Sequence, residues 1–370
     1  MKIVYFNGNM IPIVDPAVER LRKASHEVIF YDISSKDESE RTRFHIRHFQ
    51  MYQNLMDLAE SADLLYFTCP IGSPEMFLYE LKVRPNFKAK IVSTMMFRGL
   101  DRSKARAQAI IDLINHPQFE LMVFGTLIQD GFKWPETLEG INKSKVMLVS
   151  EPFNEDTRNF AKISKQNARA KLGIGDGMYL LWSGSWSHIR GADLFIDAMK
   201  YLDDDIKILF HKNVPDPVPP INIDPTLRPN LHDDLLANSK NATIMEGWVP
   251  EGEMVYLYKA CDLCILSHRK LYAYSVSGIP NMAASARIPI VAPDFYYFNE
   301  IVNRHKVGVL YEPENIQAMV DAIHFARDHY WWIMNQARFE DSLKDYYASG
   351  SWREGDIHTQ IFKRLGVPIA

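Results

Sequence analysis

Continuous apolar strands alternate with helical stretches along this chain, and that alternation constrains its fold more than any other feature. Strands buried on both faces read as unbroken apolar runs, which is typical of parallel sheets covered by helices on both sides. In the first half, helices are predicted at Asp15–Ala24 and Phe44–Glu60. The strands predicted there are Lys2–Phe6, His26–Tyr31, Asp63–Thr68, Lys90–Met95, Glu120–Gly125 and Lys145–Val149.

The alternation pauses in a polar stretch after Glu151–Asn154 and restarts at Met178. A chain of 370 residues is too long for one ordinary core. We therefore predict an α/β fold with two Rossmann-like domains facing a cleft. The strands predicted in the second half are Tyr179–Ser183, Ile206–His211, Thr243–Met245, Leu263–Leu266, Ile290–Ala292 and Val307–Leu310.

Charge and hydropathy exclude several function classes. The net charge is −4, from 42 basic and 46 acidic residues, so no global field attracts a polyanion and we expect no nucleic-acid partner. No apolar run approaches 20 residues and no basic leader precedes the first strand, which predicts a cytoplasmic protein with at most peripheral membrane contact.

The cysteines indicate neither a disulfide framework nor a metal site. Only Cys69, Cys261 and Cys264 occur, an odd number that suits a reducing compartment. The Cys261–Cys264 spacing matches half a zinc site, but no second ligand pair follows, so we interpret both as buried core.

Two strand-to-helix turns in the second half suit a phosphate. In Leu180–Met199 a strand breaks at a small polar turn and continues as an amphipathic helix with Arg190 and Gly191 at its start. A cation and a helix N-terminus converge there. Asp262–Ser267 repeats the strand-to-loop pattern before a Ser- and Gly-rich turn and another helix. The pair predicts a cleft for a nucleoside diphosphate.

The order of motifs in the second half resembles the GT-B glycosyltransferases, most closely the retaining group called family four, or group 1. The segments that carry the resemblance are Ala168–Gly173, Gly184, Arg190–Ala198, Gly247–Pro250, Leu257–Asp262, Ile288–Asp294 and Gly308–Pro313. The resemblance implies an acceptor domain at 1–155, a sugar-nucleotide domain at 156–335, and C-terminal helices at 336–370 that pack back on the first domain.

The resemblance also implies an activity and its site. The chain is expected to transfer a sugar from a UDP- or GDP-sugar donor to an acceptor, with retention and without a required cofactor. Arg190 would neutralise the donor diphosphate, with a solvated helix-start arginine as the alternative. The remaining donor-site residues implied are Gly184, Ser185, Ser275, Ser277 and Gly278.

The chain departs from the family at a pair of glutamates. Counting back from Pro289 puts Tyr274 and Met282 in their places, and neither can act as a carboxylate. A register shift of one brings in Asn281, which could hydrogen-bond a ribose. His268, Arg269 and Lys270 begin the same loop, and either cation could replace the missing groups; a solvated basic loop is the alternative.

On the acceptor side, Asn9, Ser73 and Arg98 lie in polar loops after predicted strands. Asp15 could act as a base in an inverting transfer, but an Asp before Pro16 is more simply a helix N-cap. Two other functions stay open for the whole chain. One is a noncatalytic relative that binds nucleotide or a partner protein, and the other is a different GT-B enzyme, such as a sugar-nucleotide epimerase.

Two further segments carry structural expectations. Asn213–Asn238 is crowded with proline, which predicts an extended surface loop without a regular helix. The tryptophans of the aromatic-rich C-terminal segment, Trp331 and Trp332 among them, are interpreted as packing residues rather than sugar platforms.

Overall fold

A computed structural model describes most of the chain. The described residues are 1–7, 16–32, 48–68, 71, 74–95, 104–125, 138–149, 160, 162–184, 188–212, 230–238, 240–247, 249, 251–270, 277–347 and 356–370. They form two compact units, one of Met1–Pro152 with Tyr347–Ala370 and one of Phe153–Tyr346. The predicted domain boundaries at 155 and 335 stay predictions.

The first unit is built on a six-stranded sheet of order β2-β1-β3-β4-β5-β6, parallel throughout. Its strands are β1 (Lys2–Asn7), β2 (Glu27–Asp32), β3 (Leu64–Phe67), β4 (Lys90–Met95), β5 (Phe119–Gly125) and β6 (Val146–Val149). The helices described along it are α1 (Pro16–Lys23), α2 (His48–Ala59), α3 (Pro74–Val83) and α4 (Lys104–Asn115).

The second unit has a parallel six-stranded sheet of order β12-β11-β10-β7-β8-β9. Its strands are β7 (Met178–Gly184), β8 (Ile206–Lys212), β9 (Ala242–Glu246), β10 (Leu263–Ile265), β11 (Ile290–Pro293) and β12 (Gly308–Tyr311). The helices described here are α5 (Lys165–Leu172), α6 (Ala192–Met199), α7 (Leu231–Ala237), α8 (Glu251–Ala260), α9 (Gly278–Ala286), α10 (Tyr296–His305), α11 (Ile316–Asp328), α12 (Tyr330–Gln336) and α13 (Phe339–Tyr347).

A last helix, α14 (Asp356–Arg364), returns to the first unit. Its apolar side chains Ile357, Ile361 and Phe362 are buried in one cluster with Tyr5 and Tyr66 of the first sheet. The predicted return of the terminal segment to the first domain is therefore confirmed for this helix.

The strand order of the second sheet fixes where a ligand can bind. The chain enters at β7, adds β8 and β9 on one side, and then crosses to β10 on the other side of β7. Helices diverge at such a switch point and leave a crevice outside the carboxyl ends of the two strands. Gly184 ends β7 there, and Ser267 follows β10 two residues after its end.

Cys261 and Cys264 are buried free thiols, and burial raises the pKa of both, so the core interpretation is confirmed. The expectation that Asn213–Asn238 holds no regular helix is wrong at its end, since α7 begins at Leu231. The last proline of the segment is Pro229, and the residues after it are free to form a helix.

Candidate functional site

The segments that follow β7 and β10 are joined by one hydroxyl group. Ser267 Oγ donates to the carbonyl oxygen of Arg190 at 2.9 Å and accepts from Trp182 Nε1 at 2.9 Å. Trp182 lies within β7 and its indole stacks on Phe210 of β8, with ring centroids 4.4 Å apart. The buried core of the sheet therefore fixes the backbone at Arg190.

Gly191 is required by this close approach. Its φ of 65° is left-handed, and a Cβ atom built there would lie 1.8 Å from the carbonyl oxygen of Ser267. Any larger residue would push the two segments apart. Gly191 is also the N-cap of α6, so the turn predicted from the sequence places Arg190 directly before that helix.

The Arg190 guanidinium points to the segment after β10 and to the start of α9. Its Nη1 lies 2.5 Å from His268 Nε2 and 3.3 Å from Ser277 Oγ. A guanidinium only donates, so Nε2 of His268 accepts and carries no proton in this contact. His268 and Ser277 are buried, at 2% and 1% exposure, which leaves the half-buried Arg190 as the group that reaches the surface.

Helix α9 begins at the same place. Ser277 is its N-cap, and its Oγ accepts from the backbone N–H of Ile279 at 3.4 Å. Amides at a helix N-terminus carry partial positive charge, which adds to that of Arg190. One turn on, Asn281 is 2% exposed and its Oδ1 has no hydrogen-bond partner among the described residues. Met282 beside it is buried.

The two other cations predicted here have different surroundings. Arg269 forms ion pairs with Asp193 on α6 and, through Nη1, with Glu314 Oε1 at 3.6 Å. Lys270 is exposed. Six of the predicted residues lie outside the described ranges: Ser185, Ser275, Asn9, Asp15, Ser73 and Arg98.

A buried polar chain behind the site was not predicted from the sequence. His211 Nε2 donates to the carbonyl oxygen of Gly247 at 3.1 Å, which leaves Nδ1 to accept from Ser183 Oγ at 2.9 Å. Tyr258 hydrogen-bonds Ser183, and burial raises the pKa of this tyrosine, so its hydroxyl stays protonated. Burial lowers the pKa of His211, which favours the neutral imidazole that this series of hydrogen bonds requires.

Lys212 was also missed. It ends β8 beside Gly184, is 2% exposed, and donates from Nζ to Glu246 Oε1 at 3.1 Å. His232 Nδ1 lies 3.4 Å from the same ammonium. The signal in the sequence was a His-Lys pair at the end of an otherwise apolar strand, at the carboxyl edge where ligands bind.

Among the described residues, no three His, Cys, Asp or Glu side chains are arranged to hold a metal ion. Within those same ranges, no helix has both the length and the apolar character needed to cross a bilayer.

Comparison with known families decides the class of the second unit. Residues 164–329 match the family described as glycosyl transferases group 1. This segment is a group 1 glycosyltransferase domain. The predicted resemblance and the prediction of a transferase are therefore confirmed, and the Arg190 turn, β10 and α9 all lie inside the glycosyltransferase domain.

Solved structures extend the likeness to both units of this glycosyltransferase. Sucrose-phosphate synthase from Thermosynechococcus elongatus superposes with a TM-score of 0.70 at 11% identity, covering 99% of each chain. HepE of Anabaena, in complex with UDP and glucose, gives 0.67 at 13% identity and 99% of each chain. A trehalose-phosphate synthase from Burkholderia xenovorans gives 0.63 at 10% identity, over 98% of this chain and 99% of the other.

At these identities the likeness establishes the fold, which is the predicted GT-B fold. A search of curated protein sequences gives no match to this chain.

Proposed function

We propose that this protein transfers a sugar from a UDP- or GDP-sugar to an acceptor, and that the donor diphosphate binds at Arg190. One observation carries the proposal: Arg190, His268 and the start of α9 meet at the switch point between β7 and β10. The donor ligands of a fold neighbour support it, since HepE of Anabaena has been solved with UDP-glucose.

The chemistry explains why a cation is needed at this place. Cleavage of the sugar–phosphate bond leaves negative charge on the nucleoside diphosphate, and fixed donors stabilise that charge without reorganisation. Arg190 offers a forked pair of N–H donors and the first turn of α9 offers backbone amides. His268 and Ser277 hold the fork in place before a donor arrives, which lowers the entropic cost of binding.

The other predicted residues receive narrower roles in this proposal. The charge of Arg269 is balanced by Asp193 and Glu314. Through its ion pair with Asp193, Arg269 holds the segment after β10 against α6. Lys270, being exposed, is the cation that can approach the donor.

Gly184 gives the diphosphate access to the end of β7, and Asn281 faces the ribose. The first domain supplies the acceptor, and transfer proceeds with retention.

A donor screen tests the proposal. The full chain is heated with UDP, GDP and their common sugar conjugates, each at about 100 times its dissociation constant, where one-site binding adds about 2.7 kcal/mol. At roughly 2–4 °C per kcal/mol for a unit of this size, the melting temperature should rise by about 5–10 °C. Arg190→Ala should weaken binding about 10–100-fold, because it removes charge-assisted hydrogen bonds.

Arg304→Gln is the matched control. Arg304 is a half-exposed arginine of the same unit that pairs with Asp345, and it lies at the end of α10, where the chain enters β12 at the opposite edge of the sheet. It should leave donor affinity unchanged. An equal affinity for the donor in wild type and Arg190→Ala would remove Arg190 from the site, and no shift with any donor would reject the proposal.

A noncatalytic nucleotide-binding protein is the second candidate, and one observation favours it. Residues 271–286 contain no carboxylate, and Met282 is buried in the core rather than turned to the site. A donor that raises the melting temperature but gives neither transfer nor release of free sugar over a day would select this candidate.

A further inference from the structure

Two tryptophans are exposed on α12, against the expectation that they pack. Trp331 is 75% exposed, the highest value among the large apolar side chains of the described residues, and Trp332 is 57% exposed. Two neighbouring exposed indoles form an apolar patch, and exposed apolar patches mark contacts for other molecules. What that molecule is depends on the groups around the rings.

The two rings line a cavity of about 420 Å³ at the opposite edge of the second sheet from Arg190. The cavity is bounded by the start of β7 and by Asp262, which precedes β10. Strand β7 runs from this edge to Gly184, a length of about 20 Å at about 3.3 Å per residue. The cavity is therefore a separate place on the same domain, within the range of roughly 300–1,000 Å³ of small-ligand sites.

Hydrogen-bond acceptors line the same cavity. In the tautomer in which His329 Nδ1 donates to the carbonyl oxygen of Phe325, at 3.1 Å, Nε2 is an acceptor. Asp328 is 55% exposed and accepts from Arg327 Nε through Oδ1 at 2.7 Å. Both residues line the cavity.

Hydrogen-bond donors are present as well. Each indole carries an N–H group, and Arg327 adds its guanidinium. Burial raises the pKa of Tyr330 to about 12, so its hydroxyl is protonated at neutral pH. Flat apolar faces flanked by both donors and acceptors match the alternating C–H and O–H surfaces of a pyranose ring.

The charge of the surface argues against a lipid or nucleic-acid partner. Arg327 is held by Asp203 Oδ2 at 2.7 Å, by Asp205 Oδ1 at 3.0 Å and by Asp328, so three carboxylates surround one guanidinium. Anionic bilayers and phosphate backbones need an excess of cations. A neutral saccharide needs none.

We propose that Trp331 and Trp332 form a second saccharide site, which holds a neutral oligosaccharide by ring stacking and by hydrogen bonds to Arg327, Asp328 and His329. This site is independent of the donor site and takes part in no bond-breaking step. Its expected ligand is a glycan chain that the protein retains on its surface.

Calorimetric titration of the full chain with maltohexaose, cellohexaose, mannohexaose and chitohexaose tests the proposal, with UDP present throughout. At least one hexasaccharide should bind. Trp331→Ala and Trp332→Ala should each weaken that binding about tenfold or more, and Trp331→Phe, which keeps an aromatic face, should restore part of it. Since both side chains are exposed, the variants should melt at the wild-type temperature.

Two control variants test whether saccharide binding is specific to this cavity. Tyr201→Ala removes an aromatic side chain that is 60% exposed outside the cavity and should change the affinity less than twofold. Arg190→Ala should keep saccharide binding, so a failure of the donor proposal would not affect this one. No binding of any of the four sugars, equal affinity in the Trp variants, or a dimer in sedimentation that Trp331→Ala abolishes would overturn the proposal, the last by assigning the surface to a second copy.

Discussion

Gly191 and the carbonyl oxygen of Ser267 approach so closely that a Cβ atom at position 191 would lie 1.8 Å from that oxygen. The two residues belong to the turns that follow β7 and β10, and their contact holds the Arg190 backbone at the switch point. The geometry of the site therefore depends on the absence of a side chain as much as on the presence of a charged one.

Gly191→Ala should destabilise the second unit by about 2–5 kcal/mol. The left-handed conformation costs roughly 1–2 kcal/mol for a residue with a Cβ atom, and the overlap with Ser267 adds roughly 1–3 kcal/mol. Urea denaturation followed by fluorescence measures the loss. Gly252→Ala, in α8 with open space around its Cβ position, is the control and should be neutral or slightly stabilising. A wild-type midpoint for Gly191→Ala would contradict the contact.

His268→Ala should weaken nucleoside diphosphate binding about tenfold, less than Arg190→Ala does. The imidazole is not proposed to touch the ligand; it orients the guanidinium through the Nη1–Nε2 contact. Calorimetric titration with UDP or GDP, whichever binds, gives the two affinities. In the double variant the effects should be far from additive, because His268 acts through Arg190. Additive losses would show that His268 acts independently.

Asn281→Ala should reduce the affinity for the ribonucleoside diphosphate to that for its 2′,3′-dideoxy analogue. The buried Oδ1 of Asn281 lacks a partner among the described residues, and a ribose hydroxyl would supply the missing donor. The comparison is made by competition against the preferred donor. If wild type binds both nucleotides equally, Asn281 has no part in recognition of the ribose.

Stability should fall as the pH drops below about 6.5. Burial lowers the pKa of His211, and it also lowers the pKa of His116 and His305, so the folded protein takes up these protons less readily than the unfolded chain, whose histidines titrate near 6.5. Their contribution is complete above that pH and is lost as the pH falls through the folded pKa values. Urea midpoints between pH 5 and 8 measure the slope.

His211→Asn should flatten part of this pH dependence and leave the part that belongs to the other two histidines. The variant also removes the Ser183–His211–Gly247 hydrogen bonds and should lower the midpoint at pH 8. An unchanged slope would assign the pH dependence elsewhere.

The strands could be predicted from the sequence because parallel strands that are buried on both faces have continuous apolar runs. Strand β4, for example, has the bounds that the sequence predicts. The turn at Arg190 and Gly191 could be predicted as well, because a cation and a glycine stand directly before a helix. The contact between Trp182 and Ser267 could not be predicted, because their hydrogen bond joins residues 85 positions apart and no local pattern pairs them. Helix α7 was missed because the prolines before it dominated the interpretation of its segment.

The exposed tryptophans were misjudged for a related reason. An aromatic-rich helix is typical of a packing element, but only the fold decides which face of the helix is covered by the rest of the protein. On α12 Ile333 is buried while Trp331 and Trp332 are outside.

Helix α14 completes the first unit only after the second unit has been synthesised. Tyr66 and His358 are hydrogen-bonded at 2.6 Å although 292 positions separate them. The roughly 200 residues between the two parts of the first unit take about 10–40 s to translate at 5–20 residues per second. For that interval the apolar surface that Ile357, Ile361 and Phe362 later cover stays exposed to solvent on the nascent chain. The domain that is synthesised first is therefore the domain that is completed last.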